Sequence, residues 1–344
     1  MLHLYMLYEL KEIIQKAAIN QKKGLKNVLV TVVDLKGSSY RKPGVRMLIS
    51  SDNSYTGAVS GGCVEKEIIK RAQTVFTDCT AKVITYDGRY RLGCEGILYI
   101  LIEPLILSKS FLNAFMTALE NRETLQIITY YKKQDEAIGN YGSVLRLKNG
   151  NQFILSASLT LKSLDAPKIY TQELTPLFQL IIIGGEHDAI KLCRIAANLG
   201  WQVTVITGAK DSKSIADFPG VDTLIGATPE TFQFSNIEKN TAIVLMNHSY
   251  VQDLKYLVHL TKHQPKYIGI LGAPNRREKL FNELFEFAPD TTEEFLDCIY
   301  TPAGLNIGAK TPEEIAIAII AEILAVLREK NGASLRNLNG KIYN

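Results

Sequence analysis

With 344 residues, 46% of them hydrophobic and 22% charged, the chain has a globular composition and exceeds one ordinary core. A net charge of +4 and the absence of long Lys/Arg runs give no ground for a nucleic-acid partner. No apolar run approaches the roughly 20 residues of a membrane span, so no membrane association is expected.

The opening segment, MLHLYMLYELKEIIQ, lacks a basic leader and a small-residue cleavage site, and is expected to be a helix of the mature protein. Strands are expected at Asn27 to Asp34, Arg46 to Ser50 and Tyr55 to Ser60, followed by a helix from Cys63 to Phe76. Further strands fall at Lys82 to Tyr86 and at Ile97 to Ile102, ending at Glu103-Pro104. A helix from about Phe111 to Asn121 precedes strands at Leu125 to Tyr131, Ser143 to Leu147 and near Gln152 to Ser156. This order predicts an N-terminal α+β domain over residues 1–165. The polar stretch from Leu159 to Pro176 has no clear period and is expected to be a linker.

Beyond it the pattern alternates regularly. Phe178 to Ile183, Val203 to Ile206, Ala242 to Met246 and Tyr267 to Leu271 are expected as strands. Ala189 to Leu199 and Tyr250 to Lys262 are expected as helices. Such alternation predicts a Rossmann-like, doubly wound parallel sheet over residues 176–335, making the whole chain α/β. Thr311-Pro312-Glu313-Glu314 reads as a capping box opening a last helix that runs to about Glu329.

The richest chemical signal lies between Gly37 and Ile68. Arg41, Lys42 and Arg46 surround a Pro43-Gly44 turn, and Ser60-Gly61-Gly62-Cys63 opens a helix. Unpaired N–H groups at a helix start, with cations upstream, favour an anion and lower a thiol pKa. Cys63 therefore reads as a thiolate for a metal or a sulfur atom, or as a small residue packed at a helix start. Cys94, in a second glycine turn after Arg89 and Arg91, is a candidate for the same site. Cys79, Cys193 and Cys298 read as packing residues. Five scattered cysteines without a C-x-x-C pair fit a reducing compartment, and a cytoplasmic location is expected.

Gly184-Gly185-Glu186-His187-Asp188-Ala189 has the layout of a dinucleotide-binding turn, but Glu186 stands where backbone must approach a pyrophosphate. Thr207 also stands near where an acid for ribose hydroxyls is expected. An NAD(P)-dependent oxidoreductase is the competing reading of this half; both departures weigh against NAD(P). A scaffold without any small-molecule ligand is a third. His187 and His248, each beside a strand end, are ligand candidates, whereas His259 and His263 read as a solvated helix face.

With these residues in view, the chain resembles the XdhC/CoxI family of xanthine dehydrogenase accessory proteins. The resemblance rests on Gly37 to Gly44, Gly57 to Glu65, Leu92-Gly93-Cys94, Ile183 to Ala189, Tyr267 to Gly272 and Pro302 to Ala316. It implies an accessory protein rather than a catalyst, so no catalytic residue is assigned. Its cargo would be the molybdenum cofactor (molybdopterin), protected while a cysteine desulfurase supplies sulfur and then passed to a xanthine dehydrogenase-type molybdoenzyme. It also implies a homodimer. On this reading Arg41, Lys42 and Arg46 meet phosphate or pterin oxygens, and Cys63 and Cys94 face molybdenum or sulfur. Ser60, Gly61 and Gly62 shape that turn, and Gly184, Glu186, His187 and His248 complete the cofactor-binding set.

Overall fold

The computed structural model describes residues 3–37, 39, 42–59, 64–88, 96–164, 168–235, 237–273 and 276–337. The chain divides into two compact units, Met1–Pro176 and Leu177–Asn344.

In the first unit α1 (His3–Lys22) precedes β1 (Asn27–Lys36), β2 (Arg46–Ser50), β3 (Tyr55–Gly57), α2 (Glu65–Asp78), β4 (Ala81–Asp87) and β5 (Ile97–Leu105). There follow α3 (Lys109–Glu120), β6 (Leu125–Tyr131), β7 (Ala137–Gly139), β8 (Gly142–Arg146), β9 (Gln152–Ile154) and β10 (Lys168–Leu174). Among the described residues they form a six-stranded sheet, β3-β2-β1-β5-β4-β7, and a four-stranded sheet, β10-β6-β8-β9. The larger sheet pairs antiparallel throughout, and β1 and β2 are buried over most of their length.

Two expectations need correction. β5 runs through Glu103-Pro104 to Leu105 instead of ending there. The proline is tolerated because its carbonyl accepts from the Ala157 amide, which places its missing N–H on the side away from β1. The stretch read as a linker contains β10, paired with β6 from Lys168↔Tyr131 to Leu174↔Leu125. It lies at a sheet edge with most of its residues in solvent, so its sequence carries little apolar signal.

The second unit runs β11 (Gln179–Ile183), α4 (His187–Asn198), β12 (Gln202–Thr207), β13 (Thr223–Gly226), β14 (Thr241–Leu245), α5 (Tyr250–Leu260) and β15 (Tyr267–Ile270). It closes with α6 (Arg276–Phe287), α7 (Glu293–Asp297), β16 (Ile299–Tyr300) and α8 (Pro312–Leu327). The sheet order is β13-β12-β11-β14-β15-β16, parallel throughout. That is the doubly wound order with its switch point between β11 and β14. Ile181, Ile183, Ile243 and Leu245 face the cluster containing Leu254, Leu257, Leu280 and Leu284 of α5 and α6. α4 and α8 pack on each other and against β11, β12 and β15. Trp201 lies edge-on to Phe178, 4.7 Å between ring centroids.

The capping box of α8 forms as read: Glu314 N–H donates to Thr311 Oγ1 at 3.3 Å and Thr311 N–H to Glu314 Oε2 at 3.1 Å. Thr311→Ala is expected to destabilise this unit by about 1 kcal/mol. Trp201, the only tryptophan of the chain, reports it as a lowered urea midpoint in fluorescence.

Candidate functional site

Strand register gathers the ends of three connections of the first unit, those that carry the candidate residues, at one end of the six-stranded sheet. β1 ends at Lys36 opposite Ile97, where β5 begins, and β4 ends at Asp87 opposite the same residue. β2 begins at Arg46 opposite Thr31, and β3 ends at Gly57 opposite Met47. The start of 58–64, and both ends of the 37–45 and 88–96 connections, therefore lie at the same end of the sheet's strands. Gly88 N–H donates to Gly96 O at 2.9 Å and closes the base of the last one.

Arg41, Ser60, Gly61, Gly62, Cys63 and Cys94 lie outside the described residues. Their flanks are within them. Val59 and Val64 are buried on either side of the 60–63 segment, and α2 begins at Glu65 with no side-chain cap at Val64. Arg71 ties α2 in place, pairing with Glu67 at 2.8 Å and with Glu136 at 2.9 Å, while Lys82 holds the other oxygen of Glu136 at 2.5 Å.

Lys42 is exposed on the edge, immediately before the turn. Pro43 and Gly44 occupy its central positions, with Gly44 at φ +99°, and Val45 N–H reaches back to Lys42 O at 3.4 Å. Arg46 points the other way. It is 2% exposed, and its Nη1 donates to Gly44 O at 2.8 Å and to Gln172 Oε1 at 2.5 Å. Its Nε and Nη2 have no hydrogen-bond partner among the described residues. Burial pulls the guanidinium down to about 10, while Tyr170, Glu103 and Glu9 hold it up. The structure thus turns one of the expected phosphate-binding cations into the interior, beneath the loop that bears the other two.

Glu103 is fully buried. It accepts from Ser143 N–H at 2.8 Å and from Ser143 Oγ at 2.6 Å. Burial raises its carboxyl to about 7, against the lowering effects of those bonds and of Arg46. On the same edge Asp34 receives Tyr131 Oη at 3.0 Å and Lys133 Nζ at 2.8 Å. Burial acts to raise Asp34, but those bonds and Leu35 N–H together hold it low. Nothing in the local sequence marks Gln172, Tyr170 or Ser143 as partners of Arg46 and Glu103; only strand pairing assembles them.

In the second unit the glycine turn stands at the switch point. A Cβ on Gly184, at φ +137°, would lie 2.6 Å from Met246 O, so close approach of β14 is sufficient reason for that glycine. A Cβ on Gly185 would meet Asp211 Oδ2 at 2.9 Å and Lys213 Nζ at 3.5 Å. The loop after β12 therefore covers the turn, with Lys213 between Asp211 at 3.2 Å and Glu186 at 3.5 Å. Thr207, at the end of β12, is buried, and the carboxylate nearest the turn in this loop, Asp211, is engaged by Lys213. His187 and His248 are exposed near these strand ends, while His263 packs edge-on to Phe234, 5.9 Å between ring centroids. Cys193 and Cys298 have thiols pushed up to about 11 by burial, consistent with packing roles. Among the described residues no cluster of three or more His, Cys, Asp or Glu is placed to hold a metal, and no helix is long and apolar enough to cross a membrane.

Comparison with known families matches residues 21–87 to the XdhC and CoxI family and residues 180–323 to the XdhC Rossmann domain. The chain is 28% identical over 333 residues to a probable xanthine dehydrogenase subunit of Bacillus subtilis (strain 168), covering 86% of this chain and 92% of that protein. It is 24% identical over 308 residues to the molybdenum cofactor insertion chaperone PaoD of Escherichia coli (strain K12), covering 87% and 83% respectively. A crystal structure of a xanthine dehydrogenase from Bacillus halodurans matches with a TM-score of 0.73 at 25% identity, over 94% of this chain and 98% of that one.

Two outcomes follow from this geometry. Glu103 binds its proton more tightly in the folded state than at the ordinary carboxyl value of 4.5, so stability falls as pH rises from 4.5 to about 7 and levels off above. Urea midpoints followed by circular dichroism across that range should show this slope, and Glu103→Gln should flatten it. With Asp211 and Lys213 packed over Gly185, calorimetric titration with NAD or NADP at about millimolar ligand should give no binding heat.

Proposed function

Because this chain belongs to the XdhC and CoxI family, we propose that it is an accessory protein that binds the molybdenum cofactor and delivers it to a xanthine dehydrogenase-type enzyme. The observation that carries the proposal is that both ends of the 37–45 and 88–96 connections and the start of 58–64 lie at one end of the larger sheet. Those connections hold Arg41 and Lys42, the Ser60-Gly61-Gly62-Cys63 turn, and Cys94.

The chemistry of the cargo suits that end. A pyranopterin phosphate is an anion, which lysine and arginine side chains recognise by charge and hydrogen bonding. A dithiolene-held metal and its terminal sulfur are soft, and soft centres select thiolate sulfur over nitrogen or oxygen donors. Lys42 and Arg41 are assigned to the phosphate and Cys63 and Cys94 to the metal or its sulfur; Arg46 supports the site from beneath. Sulfur supplied by a cysteine desulfurase while the cofactor is held, a homodimeric state and a cytoplasmic location belong to the same proposal. Similarity to a molybdenum cofactor insertion chaperone supports delivery rather than catalysis.

The test is retention of the cofactor. Purified protein mixed with released molybdenum cofactor under reducing conditions should keep it through gel filtration and slow its oxidation, followed by fluorescence of the oxidised pterin. Cys63→Ala should weaken retention about tenfold, which is about 1.4 kcal/mol. Wild-type protein that neither retains nor protects the cofactor would sink the proposal.

A further inference from the structure

We propose that Gln172, on a strand of the other sheet, is a positioning residue for the Lys42–Val45 turn and acts on it through Arg46. The inference deepens the functional reading above and rests on it for the identity of the ligand. Residue 172 lies 126 positions from Arg46 in sequence, and nothing about its neighbours marks it as functional.

Three observations carry it. The first is an amide where the pattern calls for an aliphatic side chain: β10 turns residues 172 and 174 inward, and 174 is a fully buried leucine. A buried amide costs about 1–3 kcal/mol unless its hydrogen bonds are made. Gln172 is 2% exposed and makes them, accepting from Arg46 Nη1 through Oε1 and turning Nε2 toward Met6 Sδ of α1. The second is the destination of Arg46. The same Nη1 donates to Gly44 O, so one nitrogen links the strand of the second sheet to the backbone of the turn.

The third is steric. A Cβ on Gly44 would lie 2.5 Å from Gln172 Nε2 and 2.6 Å from Tyr170 Oη. The turn is seated directly on these two side chains of β10, and with residue 44 at φ +99° any Cβ would be strained as well as crowded there. Gly44 N–H donates to Val32 O at 2.8 Å, which closes the turn from its other side onto β1. The turn that presents Lys42 is thus clamped between β1 and β10, with the buried guanidinium as the pin. Packing alone does not call for this arrangement, since leucine at 172 fills comparable volume without an acceptor.

The experiment compares Gln172→Leu with Gln172→Glu in the full-length chain. Leucine keeps the packing and removes the acceptor; glutamate restores an oxygen for Arg46. Gln172→Leu should accelerate amide exchange at Gly44 and Val45 selectively and weaken retention of molybdenum cofactor about tenfold. Gln172→Glu should bring both back toward wild type. Unchanged exchange at Gly44 and Val45 in the leucine variant overturns the proposal. So does acceleration spread evenly over both sheets, or a retention loss that glutamate does not relieve, either of which makes Gln172 an ordinary core residue. Tyr170→Phe, which removes only the hydroxyl beside Gly44, supplies a milder variant should the leucine protein fail to fold, and is held to the same exchange criterion. If wild-type protein retains no cofactor, the functional reading fails, while the exchange comparison still decides whether Gln172 holds the turn.

Discussion

Moving a guanidinium from water into a protein interior costs several kcal/mol unless its donors find acceptors and its charge finds a partner. Arg46 is buried, and two of its nitrogens have no partner among the described residues, so those surroundings recover that cost only in part. What they supply is directional: Gly44 O and Gln172 Oε1 on Nη1, and the field of Glu103, Tyr170 and Glu9. A methionine or leucine at this strand position would avoid the desolvation penalty altogether. The network nevertheless ties the first unit's two sheets and α1 together beneath the edge, through Arg46, Gln172 and Met6.

Around that pin the unit divides by depth. Below the edge, Glu103 joins β5 to β8 through Ser143, and the same carboxyl feels Arg46. Nearer the edge, Asp34 gathers Tyr131 of β6 and Lys133 from the segment just after it, three residues beyond the last pairing of β1 with β2. The two carboxyls behave oppositely because Glu103 has hydroxyl and amide donors in a dry setting, whereas Asp34 has an ammonium at 2.8 Å. The second unit meets a similar problem differently. Its carboxylate at the glycine turn, Glu186, is balanced by Lys213, which Asp211 also holds. Charge that looks misplaced in the linear sequence is compensated locally by a loop the fingerprint does not include.

Much of the architecture was legible because buried strands and amphipathic helices write their periods into the chain. RMLIS as β2, LQIITYY as β6 and the alternation from Gln179 onward all carry that signal. β10 was not legible, since an edge strand with solvent on much of its surface looks like a polar connection. β13 and β16, at 4 and 2 residues, are too short to show a period. The site was half legible. Residue types marked the segments proposed to bind, and register brings the strand ends that flank them to one end of the sheet. The direction of Arg46 was hidden, because a cation next to a Pro-Gly turn reads as exposed until the second sheet is known to lie against it. Gln172 was hidden for the same reason, falling inside the one strand that composition disguised.

That concealed contact has an energetic consequence for any ligand of the edge. Fixing the backbone of one residue costs about 1–2 kcal/mol, and a cationic loop ordered only when its ligand arrives charges that cost to the binding step. A loop already seated on Gln172 and Tyr170, and pinned through Arg46 to Gly44 O, has met that cost during folding. An anion bound by Lys42 as proposed would find its backbone already in position, with only the side chain left to order. On the proposed reading the buried arginine would serve the surface without reaching it: its charge is buried away from a ligand in solvent, whereas the geometry it enforces on the turn above would lower the entropy that binding must still overcome.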